Sequence, residues 1–393
     1  MTKRFTVIEI SHKFVKVLIG SVYNGQVVAH YVKKTPIHHL LENGVIVDKE
    51  ALLATIAKIN PIHDEQFNIH ELINEAILIL PPYGLEVYAT NQITSVISRE
   101  RIISQQDIVN LYSIVSNKKL PVDNELIDII PEIYTIDSGE RYAVPPIGKS
   151  SRAINAQIKV HTLPRKINNE YSDILRKAGI NISHKVVSTF ADVEVLSTYK
   201  ETPKDYFLID IGGNTTSVSL IGNGQMIASR SNAWGGDNIT EKIMQRFNIN
   251  EKEAEHIKTL YGIDNRKMNF LYPITKSVNG KEHYREELNS IIYEALDTFI
   301  SSSSIAMEQL KTLYKVDKEI PILVIGGCSK LHGLLGYLKS KFNKESISIV
   351  SPKTIGVRDP SMFALLGAVI FHDKHPGVLE DINTSSTPVG RED

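Results

Sequence analysis

Two stretches of this chain are written to one plan, and that repetition constrains the fold more than any single motif. Residues 5–33 fall into three strand-like runs, Phe5 to Ile10, Val15 to Tyr23 and Gln26 to Val32. The last two are joined by Asn24-Gly25, a hairpin turn in which both residues tolerate positive φ. Residues 206–230 repeat the pattern with Tyr206 to Ile211, Thr216 to Ile221 and Gln225 to Ser229, turning at Gly222-Asn223-Gly224. Two such units predict a duplicated α/β architecture. Taken alone, they also fit two unrelated β-meanders.

The second unit opens on Phe207-Leu208-Ile209-Asp210-Ile211-Gly212-Gly213-Asn214-Thr215. An apolar run broken by one carboxylate and then a glycine pair reads as strand, tight turn, strand. Gly212 and Gly213 let backbone N–H groups approach a ligand closely. Asp210, at the end of a buried strand, needs a partner, and a hydrated Mg²⁺ held beside phosphates would supply one. An ordinary hairpin with an aspartate at its mouth fits these residues equally well.

At 393 residues the chain exceeds one ordinary core and calls for two or more domains. Its 44 Lys and Arg against 45 Asp and Glu leave no excess of positive charge for a general nucleic-acid surface, so no nucleic-acid partner is expected. One cysteine, Cys328, excludes an intramolecular disulfide framework and fits a reducing compartment. The first residues alternate instead of forming the apolar core of a signal peptide, and Met362 to Phe371 is too short to span a bilayer. A cytoplasmic location follows.

Between the repeats, Asp48 can cap a helix carrying Leu52, Leu53, Ile56 and Ile59, and Glu75 to Leu80 reads as a buried strand stopped by Pro81-Pro82. Ser104-Gln105-Gln106-Asp107 resembles a capping box, and residues 83–161 look like a small α+β unit inserted into the first half. Ile167 to Ala178 reads as a helix stopped at Gly179, and Val187 to Thr198 as a helix or a strand–helix step. Further helices are expected from Gly235-Gly236 through Phe247, from Asn250 to Gly262 and from Arg285 to Tyr314, with a polar loop and short strands over 264–282. Ile320 to Ile325 reads as a buried strand closed by Gly326-Gly327, Met362 to Phe371 as a core helix, and the polar tail from His375 as disordered. Cys328 reads as a small turn-filling residue, His38-His39 as a surface turn, and Ser301 to Ser304 as exposed or backbone-bonded helix serines.

In this order the elements resemble the actin/Hsp70 ATPase superfamily and, within it, the bacterial cell-division family FtsA. The likeness rests on Asn43-Gly44-Val45-Ile46-Val47-Asp48, on Ile130-Pro131-Glu132-Ile133-Tyr134-Thr135-Ile136-Asp137 and on Pro146-Ile147-Gly148. It continues through Gly235-Gly236-Asp237-Asn238-Ile239-Thr240, Glu253-Ala254-Glu255-His256-Ile257-Lys258 with Gly262, and Gly326-Gly327-Cys328-Ser329-Lys330-Leu331-His332-Gly333. The resemblance implies an actin-like fold, a duplicated ribonuclease-H-like core with the FtsA-type inserted subdomain 1C. Its divisions fall at 1–82 and 162–205 for subdomain 1A, 83–161 for 1C, 206–236 and 313–374 for 2A, 237–312 for 2B, and 375–393 for a tail or truncated linker.

The resemblance also implies ATP or ADP with Mg²⁺ in a central cleft. Asp210, Gly212, Gly213, Asn214 and Thr215 would form the second phosphate loop, with Asp210 holding Mg²⁺ through water. Gly235, Gly236 and Asp237 would flank ribose and phosphate, and Gly326, Gly327 and Ser329 would line the adenosine side. Lys16 and Lys258 fall on family positions; a solvated helix lysine is the other reading of Lys258. Partners implied are the C-terminal tail of FtsZ, docked around residues 237–312, other division proteins, and further copies of the chain assembled through 1C. The location implied is peripheral, on the cytoplasmic face of the cell membrane at the division site, reached by a C-terminal amphipathic helix.

The chain departs from the family in three places. The first phosphate loop, Asp-x-Gly-(Ser/Thr) in the family, is Glu9-Ile10-Ser11-His12, so a Cβ stands where a glycine should and Glu9 reaches about one methylene further. His12 and Lys13 are expected to add positive charge there. The family helix Ile-Ile-Glu-x-Arg-x-Glu-Glu is Ile291-Ile292-Tyr293-Glu294-Ala295-Leu296-Asp297, without its arginine. Together these predict a nucleotide-binding scaffold whose ATP hydrolysis is weak or absent. Val378 to Asp393 holds no amphipathic helix; the polar tail reads as a linker cut short, the other reading being that the protein reaches the membrane another way. Two alternatives stay open: a pilus-assembly adaptor of the PilM type, and a small-molecule kinase of the same superfamily, for which the sequence carries no signature.

Overall fold

In the computed structural model the described residues are 3–42, 44–65, 69–118, 120, 123–264, 272–344 and 346–374. The tail expected from residue 375 and Asn43 of the family segment lie outside them. Strands β1 (Phe5–Ile10), β2 (Phe14–Tyr23) and β3 (Gln26–Pro36) form an antiparallel meander. Strands β4 (Glu75–Leu80) and β9 (Asn181–Val187) extend it in parallel, giving the order β9-β4-β1-β2-β3. In the second half, β10 (Tyr206–Ile211), β11 (Thr216–Gly222) and β12 (Gln225–Asn232) repeat the meander. Here β13 (Ile322–Ile325) and β14 (Ile347–Ile349) extend it, in the order β12-β11-β10-β13-β14. Counted from its own first strand each sheet runs third, second, first, fourth, fifth, so the duplication expected from the two meanders is present.

The element edges moved where the residues are polar. β3 continues past Val32 through Lys33, Lys34 and Thr35 because one face of an edge strand meets water and need not be apolar. β13 starts at Ile322, not Ile320, since Pro321 has no N–H for the ladder.

Helices α4 (Ser188–Leu196) and α9 (Phe363–Lys374) lie between the two sheets, in one core that joins Val7, Ile8 and Leu18 to Leu208, Leu323 and Ile325. That position explains why Met362 to Phe371 is apolar all round and carries no helical face. A Cβ on Gly367 would stand 1.7 Å from the Ala191 carbonyl oxygen, so α9 and α4 touch backbone to backbone. On the far side of the second sheet α5 (Gly236–Phe247), α6 (Glu251–Tyr261), α7 (Arg285–Tyr314) and α8 (Leu334–Phe342) share a second core, with Leu288, Ile291, Ile292, Leu296 and Phe299 of α7 buried as the spacing requires. Among the α7 serines, Ser301 and Ser302 donate back to the Asp297 and Phe299 carbonyls. Ser303 is fully buried instead, which corrects the exposed or backbone-bonded reading at that position.

Residues 84–164 form a separate sheet, β7-β6-β8-β5, from β5 (Glu86–Ser95), β6 (Asn124–Ile136), β7 (Arg141–Tyr142) and β8 (Ala153–Pro164). Helix α2 (Gln105–Ser116), opened by the Ser104/Asp107 capping box, covers one face and closes a third core around Leu111, Tyr112, Tyr134 and Ile154. The chain comes in past Pro81-Pro82-Tyr83 and leaves at Pro164. A Cβ on Gly84, at φ +70°, would lie 2.7 Å from the Pro164 ring, so the two crossings are in contact.

Candidate nucleotide cleft

A cleft of about 820 Å³ opens between the two halves at the turn ends of both meanders. The turns are built alike. Ser11 N–H donates to the Phe14 carbonyl at 2.9 Å, and Gly212 N–H to the Thr215 carbonyl at 2.8 Å. Glu9 stands opposite Lys16 in the first ladder, and Asp210 opposite Ser217 in the second. Glu9 and Asp210 are therefore equivalent, as are Lys16 and Ser217.

The second turn is held from behind. The N–H groups at the start of α5, on Gly236 and Asp237, donate to the Gly212 and Gly213 carbonyls at 3.0 and 2.7 Å. Gly235 makes this approach possible, because a Cβ there would sit 2.4 Å from the Gly213 carbonyl oxygen. Lys258 braces the same turn of α5, donating to the Gly236 carbonyl at 3.0 Å, Thr240 Oγ1 at 2.8 Å and Glu255 at 2.8 Å. It is a buried strut, and the solvated-lysine reading is corrected. Gly326 adopts φ +91°, and a Cβ on it would lie 2.2 Å from an Asp210 carboxylate oxygen. Ser329 fixes that turn through its hydroxyl, which donates to the Gly326 carbonyl at 2.7 Å.

Of the residues singled out in the sequence, Asp210, Gly212, Gly213, Asn214, Thr215, Gly236, Asp237, Lys258, Gly326, Gly327 and Lys16 line the cleft. Gly235 and Ser329 shape it from outside. Cys328 is packed against Gly236, and burial pushes its thiol up to about 11, which suits a filler more than a nucleophile.

The first turn behaves differently from expectation. His12 and Lys13 do not offer free positive charge: His12 Nε2 lies 3.0 Å from Asp237, and Lys13 Nζ lies 2.5 Å from Asp237 and 3.1 Å from Glu255. Burial pulls the Lys13 ammonium down, but these two carboxylates outweigh it and leave the group above its ordinary value. Burial likewise pushes Asp237 up, and the His12 and Lys13 contacts overcome it and hold the carboxyl below its ordinary range. Lys16 is also engaged, donating to both Glu9 oxygens at 3.0 Å and to the Ser361 carbonyl at 2.7 Å.

Two residues with no motif around them also belong here. Tyr83 reaches from the first half to the second turn, its hydroxyl donating to Asn214 Oδ1 at 2.9 Å and bonding Thr215 Oγ1. Asp192 projects from α4 into the cleft wall. The signal for Asp192 was a lone acid in the apolar run Thr189 to Val193. Burial, with Asp210 and Glu9 nearby, holds its carboxyl well above the usual range. Asp210 itself is raised to about 6, chiefly by burial, with Lys16 pulling it down and Glu9 pushing it up.

Glu9, Asp192 and Asp210 thus face one fully engaged amine, and the floor is short of positive charge. A hydrated cation beside bound phosphates would offset that charge, although among the described residues no group of three His, Cys, Asp or Glu side chains is placed to hold a metal ion by itself.

A family model described as Cell division protein FtsA matches residues 207–367, and one described as the SHS2 domain inserted in FTSA matches residues 84–162. Cell division protein FtsA of Streptococcus pneumoniae is 24% identical over 383 residues, covering 96% of this chain and 81% of that protein. The Bacillus subtilis protein of the same name is 23% identical over 362 residues, covering 91% and 80%. Among solved structures, a chain of the PilM-PilN type IV pilus biogenesis complex superposes with a TM-score of 0.64 at 17% identity, over 96% of this chain and 100% of that one. MreB 5 of Spiroplasma citri bound to AMPPNP superposes with a TM-score of 0.55 at 14% identity, over 98% and 99%. The structural neighbours show the actin-like fold.

Proposed function

The chain belongs to the FtsA family of cell-division proteins, and on that premise we propose that it is an actin-like scaffold that binds ATP or ADP in the cleft, self-associates into filaments and tethers FtsZ to the inner membrane. The observation that carries the nucleotide reading is the second turn, where Asp210, Gly212, Gly213, Asn214 and Thr215 face the cleft on a backbone locked by α5. In that reading the turn and Asp237 hold the phosphates and ribose, while Gly326 and Gly327 make room for the base. Mg²⁺, when bound, neutralises phosphate charge. A relative in structure, MreB 5, carries AMPPNP, which supports the same use of this fold.

Hydrolysis is proposed to be weak or absent. The first turn has a side chain at Ser11, spends His12 and Lys13 on Asp237 and Glu255, and spends Lys16 on Glu9. Little is left on that side to stabilise charge developing on a transferred phosphoryl group. The four-part division, with 1C at 83–161 and 2B at 237–312, assigns filament contacts to the inserted sheet and the FtsZ tail to the α5–α7 lobe. Membrane attachment is proposed to be peripheral; no helix of the described residues is long and apolar enough to cross a membrane.

The PilM-like fold leaves a pilus adaptor as the second reading, supported by the superposition alone. Cosedimentation with FtsZ, with and without its C-terminal tail, separates the two. Tail-dependent pelleting supports division scaffolding, and FtsZ left in the supernatant in both cases overturns it.

A further inference from the structure

We infer that the His12 imidazole is a built-in plug of this cleft, seated between the two turns where a nucleotide's phosphates would lie, so that a phosphate-bearing ligand enters only by displacing it. The inference rests on the nucleotide-binding reading above. A Cβ placed on Gly213 would meet His12 Cδ2 at 3.5 Å and His12 Cβ at 3.7 Å, so the first turn already fills the space against the glycine of the second. The ring is held there from its far end. His12 Nε2 lies 3.0 Å from Asp237 Oδ2, and the Asp237 N–H donates to the Gly213 carbonyl at 2.7 Å. His12, Asp237 and Gly213 thus close a loop of contacts across the gap.

Neither backbone can give way in place of the side chain. The second turn is locked by the start of α5, where Gly235 has no room for a Cβ. The first is tied twice to the Phe14 carbonyl, by the Ser11 N–H and by the Ser11 hydroxyl, each at 2.9 Å. What remains free to move is the His12 ring, and its seat is a poor one. Nδ1 is buried without a hydrogen-bond partner, which costs part of what the contact with Asp237 returns. A half-buried side chain held by one polar contact can swing out while the turns stay in place, and its departure also frees the Asp237 oxygen it engages.

The test is binding of ADP and of adenosine to the full chain by calorimetry, for the parent and for His12→Ser. Removing the plug should tighten ADP about tenfold or more and leave adenosine, which has no phosphates to place between the turns, within about twofold of the parent. His12→Ala provides the same reading if the serine variant melts early. The sign decides the matter, because a histidine that instead lent positive charge to the phosphates would make its own removal weaken ADP. ADP affinity unchanged or weaker in both variants overturns the inference while leaving nucleotide binding intact. An equal gain for adenosine and ADP also overturns it, since it would mean a general opening of the cleft. No binding of ADP by the parent or by either variant overturns both readings.

Discussion

At the scale of single residues, the two equivalent acids Glu9 and Asp210 set the character of the cleft. Glu9 is neutralised by Lys16, whereas Asp210 has Ser217 opposite it in the ladder and the Gly326 backbone close against its carboxylate. The consequence for pH can be signed. Asp210 ionises near 3.8 in the unfolded chain and near 6 in the folded one. Its protonated form therefore favours folding below the unfolded value, and that contribution is lost as pH rises through about 6. Asp210→Asn should be more stable than the parent by about 2 kcal/mol above that range and should converge with it below about pH 4, read by urea denaturation across pH. Parallel pH profiles for the two proteins would contradict it. Gly326→Ala meets both a positive φ and the Asp210 carboxylate, and should cost about 2 kcal/mol or more in the same assay. The second turn was legible because Asp210 and its glycines sit together in the sequence. Tyr83 and Asp192 were not, since each matters only through groups on distant strands, and no local spacing encodes such a pairing.

At the scale of elements, capping and periodicity carried most of the reading. Asp48 and Asn250 accept from Ala51 and Glu253 as their sequence contexts require, and the thirty-residue α7 has the bounds its pattern gives. What the pattern withholds is where a helix goes when it is apolar on every side. α9 comes late in the chain yet packs on β1 and β2 of the first sheet, pressed to α4 through Gly367. Gly367→Ala should force the two helices apart and cost about 3 kcal/mol, measured by thermal or urea unfolding. A stability change within about 0.5 kcal/mol would mean that the helices can slide.

At the scale of the whole molecule, the halves are joined by charge across the mouth of the cleft. His12 and Lys13 on the first turn meet Asp237 and Glu255 on α5 and α6, and the Ser231 hydroxyl donates to the Pro82 carbonyl at 3.1 Å. Asp237→Asn with Glu255→Gln should let the halves separate, seen as a larger radius of gyration by small-angle scattering in the absence of nucleotide. An unchanged radius would assign closure to the α4–α9 core instead. The inserted sheet packs on the first half through Ile127, Ile130 and Leu163, and where its two crossings meet at Gly84 and Pro164 the residue just before that contact is Tyr83, bonded to Asn214 and Thr215. Tyr83→Phe should leave both sheets folded while speeding hydrogen exchange at residues 212–215. The crossing at Gly84 and Pro164 is in this sense a fulcrum. A load borne by the 84–164 sheet is delivered, within one residue, to the turn on which the cleft depends.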